Sequence, residues 1–547
     1  MHGQTTDSTI IKRDVTIQKD YVPTIQDAGK INTIPSVLDP EVKTIDVQYS
    51  PYSTIMDPLY QIRALESARL KTPPIPVRKD GFLRLGAGSS ITTLADFMYP
   101  LLNKPEYRLD INANHKGVFT EKKHHQNQGG IAFRRYREYG EFMIDATYGF
   151  EGFNYYGKNS IEADTLYTHT GGSVLGKDFL PTNAAITRWN MTSGYKTIPS
   201  ERDYNYSING SYSGFSAQKG LTEQQIHTHL TYDKKIDENK AGIDFQLQNL
   251  FYNNSHTAYP TNQFNYSVFR LNPFFAFEQS KWKLRMGVKT IFSKKEAGKG
   301  FVPTADIAGE ATLVNKSIFA YGGITGDYQA NTMQQMVALN KYGNLNEKIK
   351  DSYTPFDIYG GLKIKLLYNF LIDMSVRQKS IKNQHFFINE TVFNAISNAP
   401  SYTNSFTVNY YDATVLNGNI RINYNYNQVF GFIIGWKYNA WKKLPNGIEA
   451  WHIPKHEFDF ETDMKLTKKT TVNLNTYIAT GREIRTLDGT AASLDPIIDI
   501  NLGLYYAHSS KVSSFLKINN LANSHYELWN GYEVIGFNAM LGLAFSF

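Results

Sequence analysis

The end of the chain alternates. Over residues 534–547 one face reads Phe537, Ala539, Leu541, Leu543, Phe545 and Phe547. The other reads Gly536, Asn538, Met540, Gly542, Ala544 and Ser546. A period of two marks a β-strand with one apolar and one polar surface. The pattern recurs upstream. Trp282, Leu284, Met286, Val288, Thr290 and Phe292 are backed by Lys281, Lys283, Arg285, Gly287 and Lys289. Phe458, Phe460, Thr462 and Met464 are backed by Glu457, Asp459, Glu461, Asp463 and Lys465. Val472, Leu474, Thr476 and Ile478 alternate with Asn473, Asn475 and Tyr477.

Such a chain can close into a soluble β-protein, such as a propeller, or into a membrane barrel. A barrel tolerates a mean hydropathy of −0.40, because only alternate residues face lipid. No run of about 18 apolar residues is present, so a transmembrane helix is excluded. The 37 Tyr and 33 Phe suit the aromatic girdles of a barrel. A charge facing lipid at the bilayer midplane costs roughly 2–4 kcal/mol. The staves Lys281, Lys283, Arg285, Lys289 and Glu457, Asp459, Glu461, Asp463 are therefore expected to face the lumen. The acidic stave is expected to pair with inward Lys and Arg of neighbouring strands or of the N-terminal segment, with cation binding or paired-carboxylate chemistry as the alternative. The basic stave is expected to meet opposing charges in a packed lumen, with an anion path as the alternative.

Connections supply the topology. Turns near Lys104, Gln279, Asn315, Tyr368, Asn427, Lys468 and Ser510 are short, and connections near 152–186, 327–354, 384–414, 442–453 and 482–494 are long. Bacterial barrels place short turns in the periplasm and long loops outside. Strict alternation gives an all-β, transmembrane antiparallel barrel of about 22 strands over residues 81–547. The segments 81–102 and 187–198 are the weakest; without them the count falls to about 18 to 20.

Residues 1–80 differ. They hold Pro23, Pro35, Pro40, Pro51, Pro58, Pro73, Pro74 and Pro76, and proline removes a backbone donor. An irregular lumen or periplasmic segment is expected, with one short helix capped by Asp57 and carrying Leu59, Ile62 and Leu65 on one face. No secretory leader follows Met1-His2-Gly3-Gln4, so the numbering is expected to begin near a mature N-terminus.

The stretch Phe515-Leu516-Lys517-Ile518-Asn519-Asn520-Leu521-Ala522-Asn523, then Tyr526, Gly536-Phe537 and the terminal Phe547, resembles the end of TonB-dependent receptors. An Asn-Leu-x-Asn-x-x-Tyr segment leads there into the final strand, and Asn520, Leu521, Asn523 and Tyr526 occupy those positions. More broadly, residues 81–547 look like the TonB-dependent-receptor-like barrels of the Bacteroidota. The resemblance implies an outer-membrane location, both termini periplasmic, and Phe547 as a C-terminal assembly signal. The chain departs from the family in having only 80 proline-broken residues where a full plug is expected. Asp14-Val15-Thr16-Ile17 is at most a degenerate TonB box, which makes TonB a doubtful partner.

Two functions are carried forward. One is transport or reception of a solute across the outer membrane. The other is a structural barrel of a multi-protein complex, such as the barrel-assembly machinery, binding lipoprotein or periplasmic partners as well as membrane lipid. The loops around 152–186, 327–354 and 384–414 are rich in Asn, Thr, Tyr and Gly, a composition suited to adaptable binding surfaces. Tyr155, Tyr156, Trp189, Tyr328 and Tyr353 are the candidate loop aromatics. No nucleophile elbow or phosphate loop is found, so neither enzymatic activity nor a cofactor is expected. His115, His124 and His125 read as solvated loop residues rather than a metal site. With no cysteine, disulfides and thiolate metal sites are excluded. The net charge of +7 is spread along the chain, so nucleic acid is not an expected partner.

Overall fold

The computed structural model describes residues 81–547 apart from 170–171, 199–202, 218–220, 255–262, 294–299, 345–347, 368 and 427–428. The helix expected near Asp57 and the box-like residues 14–17 lie outside the described residues, as does the rest of the N-terminal segment.

Alternating inward and outward side chains curl one antiparallel sheet shut. Of the 24 strands in that sheet, Leu166–His169 and Gly172–Leu175 form a hairpin outside the wall. The remaining 22 make a closed barrel, from Phe82–Gly88 to Asn538–Ser546. The first and last strands pair from Phe82 opposite Ser546 to Gly88 opposite Met540. Beyond that register the Gly81 and Phe547 backbones bond each other in both directions, at 2.6 and 3.0 Å. The weak segments are wall strands after all: Phe82–Gly88, Thr92–Asn103 and Asn183–Thr197.

The two faces segregate as the alternation demands. On the last strand Leu541 is 66% exposed while its neighbour Met540 is buried. Trp282, Met286, Val288 and Phe292 are exposed on the outside, whereas Ile291 and Ser293 are buried on the inside. Rings gather near the rims. Tyr99 stacks on Phe547 and Tyr195 on Tyr206 near the end that holds the short turns. Trp436 stacks on Phe458 and His456 further toward the loops.

Two expectations are corrected here. Residues 384–414 are not a long loop. The strands Phe370–Asn394 and Pro400–Tyr426 run on past the wall as one hairpin joined by residues 395–399. Register shifts between Ile381 and Gln384, and between Asn389 and Thr391, bend it over the barrel mouth. The last strand begins at Asn538, and Val534 belongs to the preceding loop, buried among its residues.

Candidate functional site

The mouth opposite the short turns is closed by a cap with its own core. Met333, Met336, Val337, Tyr342 and Ile349 come from residues 330–351. Phe387, Phe406 and Val408 come from the hairpin extension; Tyr526, Leu528, Trp529, Tyr532 and Val534 come from residues 520–537. They pack on Phe153, Ile186, Phe215 and Leu221 of the wall. Tyr342 and Tyr532 stack with ring centres 3.7 Å apart. This is apolar burial of the kind that holds a domain together.

Polar groups fix how the pieces dock. The helix Met333–Leu339 is capped by Thr332, whose side chain accepts from Gln335 N while the Gln335 side chain accepts from Thr332 N. Its first amides also donate to the buried Glu223 carboxylate of the wall, Met333 N at 2.6 Å and Gln334 N at 3.3 Å. Arg482 is fully buried and donates to three backbone carbonyls: Glu527 O at 2.7 Å, Leu528 O at 3.1 Å and Asp495 O at 2.7 Å. Burial lowers its pKa to about 10, which leaves it a cation at neutral pH. His452 bonds Phe387 O through Nδ1 at 3.0 Å and accepts weakly from Asn530 N at 3.4 Å.

The segment that carried the family resemblance is a clamp for the last loop. Asn520 and Asn523 both adopt left-handed backbone, with φ of 49° and 50°. The Asn520 amide donates to Ser524 O and Ile535 O, and Asn523 Oδ1 accepts from Phe537 N at 2.7 Å. Tyr526, six residues on, is driven into the cap core.

Below the cap, both charged staves face inward and are paired. Lys283 stands opposite Glu278 and Glu310 in register. The Arg285 guanidinium lies 3.7 Å from the Phe274 ring centre, with Nε 3.2 Å from Asp306. Lys289 donates to Thr325 Oγ1 at 2.8 Å and sits 3.7 Å from Asp306. Glu457 accepts from the Tyr477 hydroxyl at 2.9 Å and from Asn439 at 3.3 Å, opposite Lys437. Asp459 lies 3.8 Å from Arg421. Glu461 and Asp463 continue the same face opposite Asn475 and Asn473. Lys281 is the exception: it sits exposed in the turn before its strand, where its carbonyl accepts from Thr312 N.

No family model and no curated protein matches the chain in sequence. Solved structures do match in shape. The siderophore receptor PirA from Acinetobacter baumannii superposes with a TM-score of 0.63 at 9% identity, over 87% of this chain and 81% of that one. The ferric-catecholate import receptor Fiu from K12 E. coli gives 0.60 at 11%, over 86% and 82%. A mutant form of the ferric enterobactin receptor PfeA from Pseudomonas aeruginosa gives 0.61 at 10%, over 86% and 80%. The fold is that of the siderophore-receptor barrels.

Within this barrel the candidate aromatics do not form one surface. Tyr155 and Tyr156 are packed against the cap core, within 5.8 and 6.0 Å of the Tyr342 ring. Trp189 is not a loop residue. It lies in the strand Asn183–Thr197 opposite Tyr148, on the outer face, and its ring covers Gly214. Tyr328 is buried at the end of its strand and donates to Asp351 at 2.6 Å; Tyr353 packs on the same cluster. The histidines belong to strands, not a loop. His124 faces Glu151 at 3.1 Å, whereas His125 stacks on Phe119 on the opposite face, so adjacent rings point apart. Among the described residues no cluster of metal-ligating side chains is found.

Arg482, His452, Tyr342 and Tyr532 hold the cap, and none was singled out from the sequence. The one local signal was Gly481, at φ 70°, which turns the chain into Arg482. His452 makes the cap sensitive to acid. Burial holds its pKa down to about 3, against an ordinary 6.5. The open cap therefore binds a proton that the closed cap refuses. Closure is full above about pH 6.5 and weakens as pH falls toward 3, by on the order of a few kcal/mol. Amide exchange in 443–455 and 520–537 should accelerate between about pH 7 and pH 4.5 while the barrel stays folded. His452→Gln should flatten that dependence; an unchanged slope would assign it to another group.

Proposed function

We propose that this chain is an outer-membrane barrel that receives or transports a solute. The observation that carries the reading is the closed 22-strand wall, apolar outside and lined inside by paired charges. Barrels of this size enclose a wide lumen and are normally plugged. Residues 1–80 are the proposed plug or periplasmic contact segment. The likeness to receptors for siderophores and ferric catecholates supports the solute-receiving class; it does not name the solute. Coupling to TonB would run through residues 1–80, so it belongs to the test rather than to the reading.

Removing residues 1–76 is expected to raise single-channel conductance in a planar bilayer. Unchanged conductance would mean that the segment stands clear of the lumen. A second reading, a structural barrel holding partner proteins, rests on the tip of the extended hairpin. Its strand is joined there by Leu166–His169, and the tip exposes Ile396 (92%) together with Leu166 and Leu175. Purification of the intact protein in mild detergent separates the two. Stoichiometric lipoprotein or assembly partners favour the scaffold, and an isolated barrel that retains a solute favours transport.

A further inference from the structure

The wall where the first and last strands meet carries more positive charge than it neutralises. The register sets out its inward rows. Arg84 lies between Ala544 and Asp96. The next row runs Phe515, Gly542, Gly86, Leu94, Lys116. The row beyond holds Lys517, Met540, Gly88 and Thr92. The Phe515 ring lies flat over both glycines; a Cβ at Gly86 or Gly542 would sit 3.0 or 2.2 Å from its Cζ. The Arg84 guanidinium carbon and Lys517 Nζ stand 5.9 and 5.6 Å from the centre of that ring.

Among the described residues one carboxylate, Asp96, pairs with this cluster, and it is already committed. Asp96 Oδ2 accepts from Arg84 Nε at 2.9 Å and from Nη2, while Oδ1 accepts from Asn114 at 3.0 Å. Arg84 Nη1 and Lys517 Nζ remain buried with no hydrogen-bond partner among the described residues, on residues 0% and 4% exposed. Lys116 is within electrostatic reach of Arg84, Asp96 and Lys517. The next carboxylate along the Lys517 row is Asp463, three strands away, or about 14 Å at the usual strand spacing. A buried cation without a counter-charge is costly, and a bound oxyanion removes that cost. Beside the cluster lies a recess of about 50 Å³, lined in part by Lys116, Asn520, Tyr526, Asn538 and Met540, and also by the buried Asp499. That is room for a few water-sized atoms.

We propose that Arg84, Lys116 and Lys517 form a lumenal site for an oxyanion, a carboxylate or phosphate group. Arg84 Nη1 and Lys517 Nζ donate to it, and Lys116 faces it from the neighbouring strand. The site belongs to the wall and does not depend on what the barrel transports. The oxyanion is either free in the lumen or a side-chain carboxylate of residues 1–80, which join the barrel at Gly81.

The test uses full-length protein in detergent and reads the temperature at which the heat-modifiable form is lost. Inorganic phosphate is compared with chloride at matched ionic strength. For a free anion, phosphate raises the midpoint by several degrees in the wild type. Lys517→Met abolishes that rise, and Lys517→Arg keeps it. For an internal carboxylate, phosphate gives no rise, Lys517→Met lowers the midpoint without added anion, and Lys517→Arg restores it. The proposal is overturned if the phosphate rise survives in Lys517→Met. It is also overturned if phosphate has no effect and Lys517→Met is as stable as the wild type or more so. Where Lys517→Met does not fold, Lys116→Met gives the same readout, because its side chain is only half-buried.

Discussion

Alanine in place of Gly542 should prevent the barrel from closing. The added Cβ would lie 2.2 Å from Phe515 Cζ and 2.3 Å from the Leu85 carbonyl oxygen. The ring could move; the carbonyl belongs to the first strand at the closing register and cannot move without losing that pairing. A clash with fixed backbone at the seam should cost more than about 4 kcal/mol. Loss of the heat-modifiable band in membrane fractions is the expected readout. Trimming Phe515 to leucine in the same protein should not restore folding, because the Leu85 contact remains. Gly210→Ala is the control: nothing lies within 4 Å of its Cβ, so this change should fold normally. Normal folding of Gly542→Ala would show that the seam is looser than this packing requires.

Replacing Arg482 with methionine should open the cap and leave the barrel standing. The methionine keeps most of the apolar stem but loses every donor. Three carbonyls, the buried one of Leu528 and the more exposed ones of Glu527 and Asp495, then lose their donor. Loss of three charge-assisted bonds, one of them to a buried acceptor, should weaken closure by roughly 2–4 kcal/mol. Limited proteolysis at 481–496 and 520–537 should become much faster, with heat modifiability unchanged. Lysine should rescue only in part, because a single ammonium cannot reproduce the planar fork that reaches both loops. Equal protease resistance in Arg482→Met would mean that the aromatic core of Tyr342, Phe406, Trp529 and Tyr532 closes the cap unaided.

These two positions differ in how far the sequence exposes them. Gly542 sits on the inward face of a strand whose alternation is plain, so its orientation was legible. What it packs against was not, because Phe515 reaches it from a neighbouring strand, across the wall. Arg482 was not legible, because the adjacent Gly481 marks a turn but does not distinguish Arg482 from a solvated loop arginine.

The hairpin at 384–414 shows where alternation stops informing. Phe386, Phe387 and Ile388 are consecutive and all buried. Phe386 packs with Trp451, and Phe387 packs into the cap core from the other side. A strand covered on both faces has no polar side to alternate with, so it read as irregular. Trp189 failed for the opposite reason. Its place on a lipid-facing surface over Gly214 depends on pairing with Tyr148, which composition near a loop does not reveal.

The sequence by itself determined the kind of wall: an all-β antiparallel barrel of about 22 strands, with alternate residues of a strand on opposite faces. Period-two alternation encodes these locally, and the cost of charge in lipid leaves one orientation. Only the tertiary structure decided the cap and the seam. Both are built from residues far apart in the chain, as where Tyr532 stacks on Tyr342, or where Arg84 and Lys517 each lie within about 6 Å of the Phe515 ring. Contacts of that range arise from closing the barrel, and no local pattern in the chain records them.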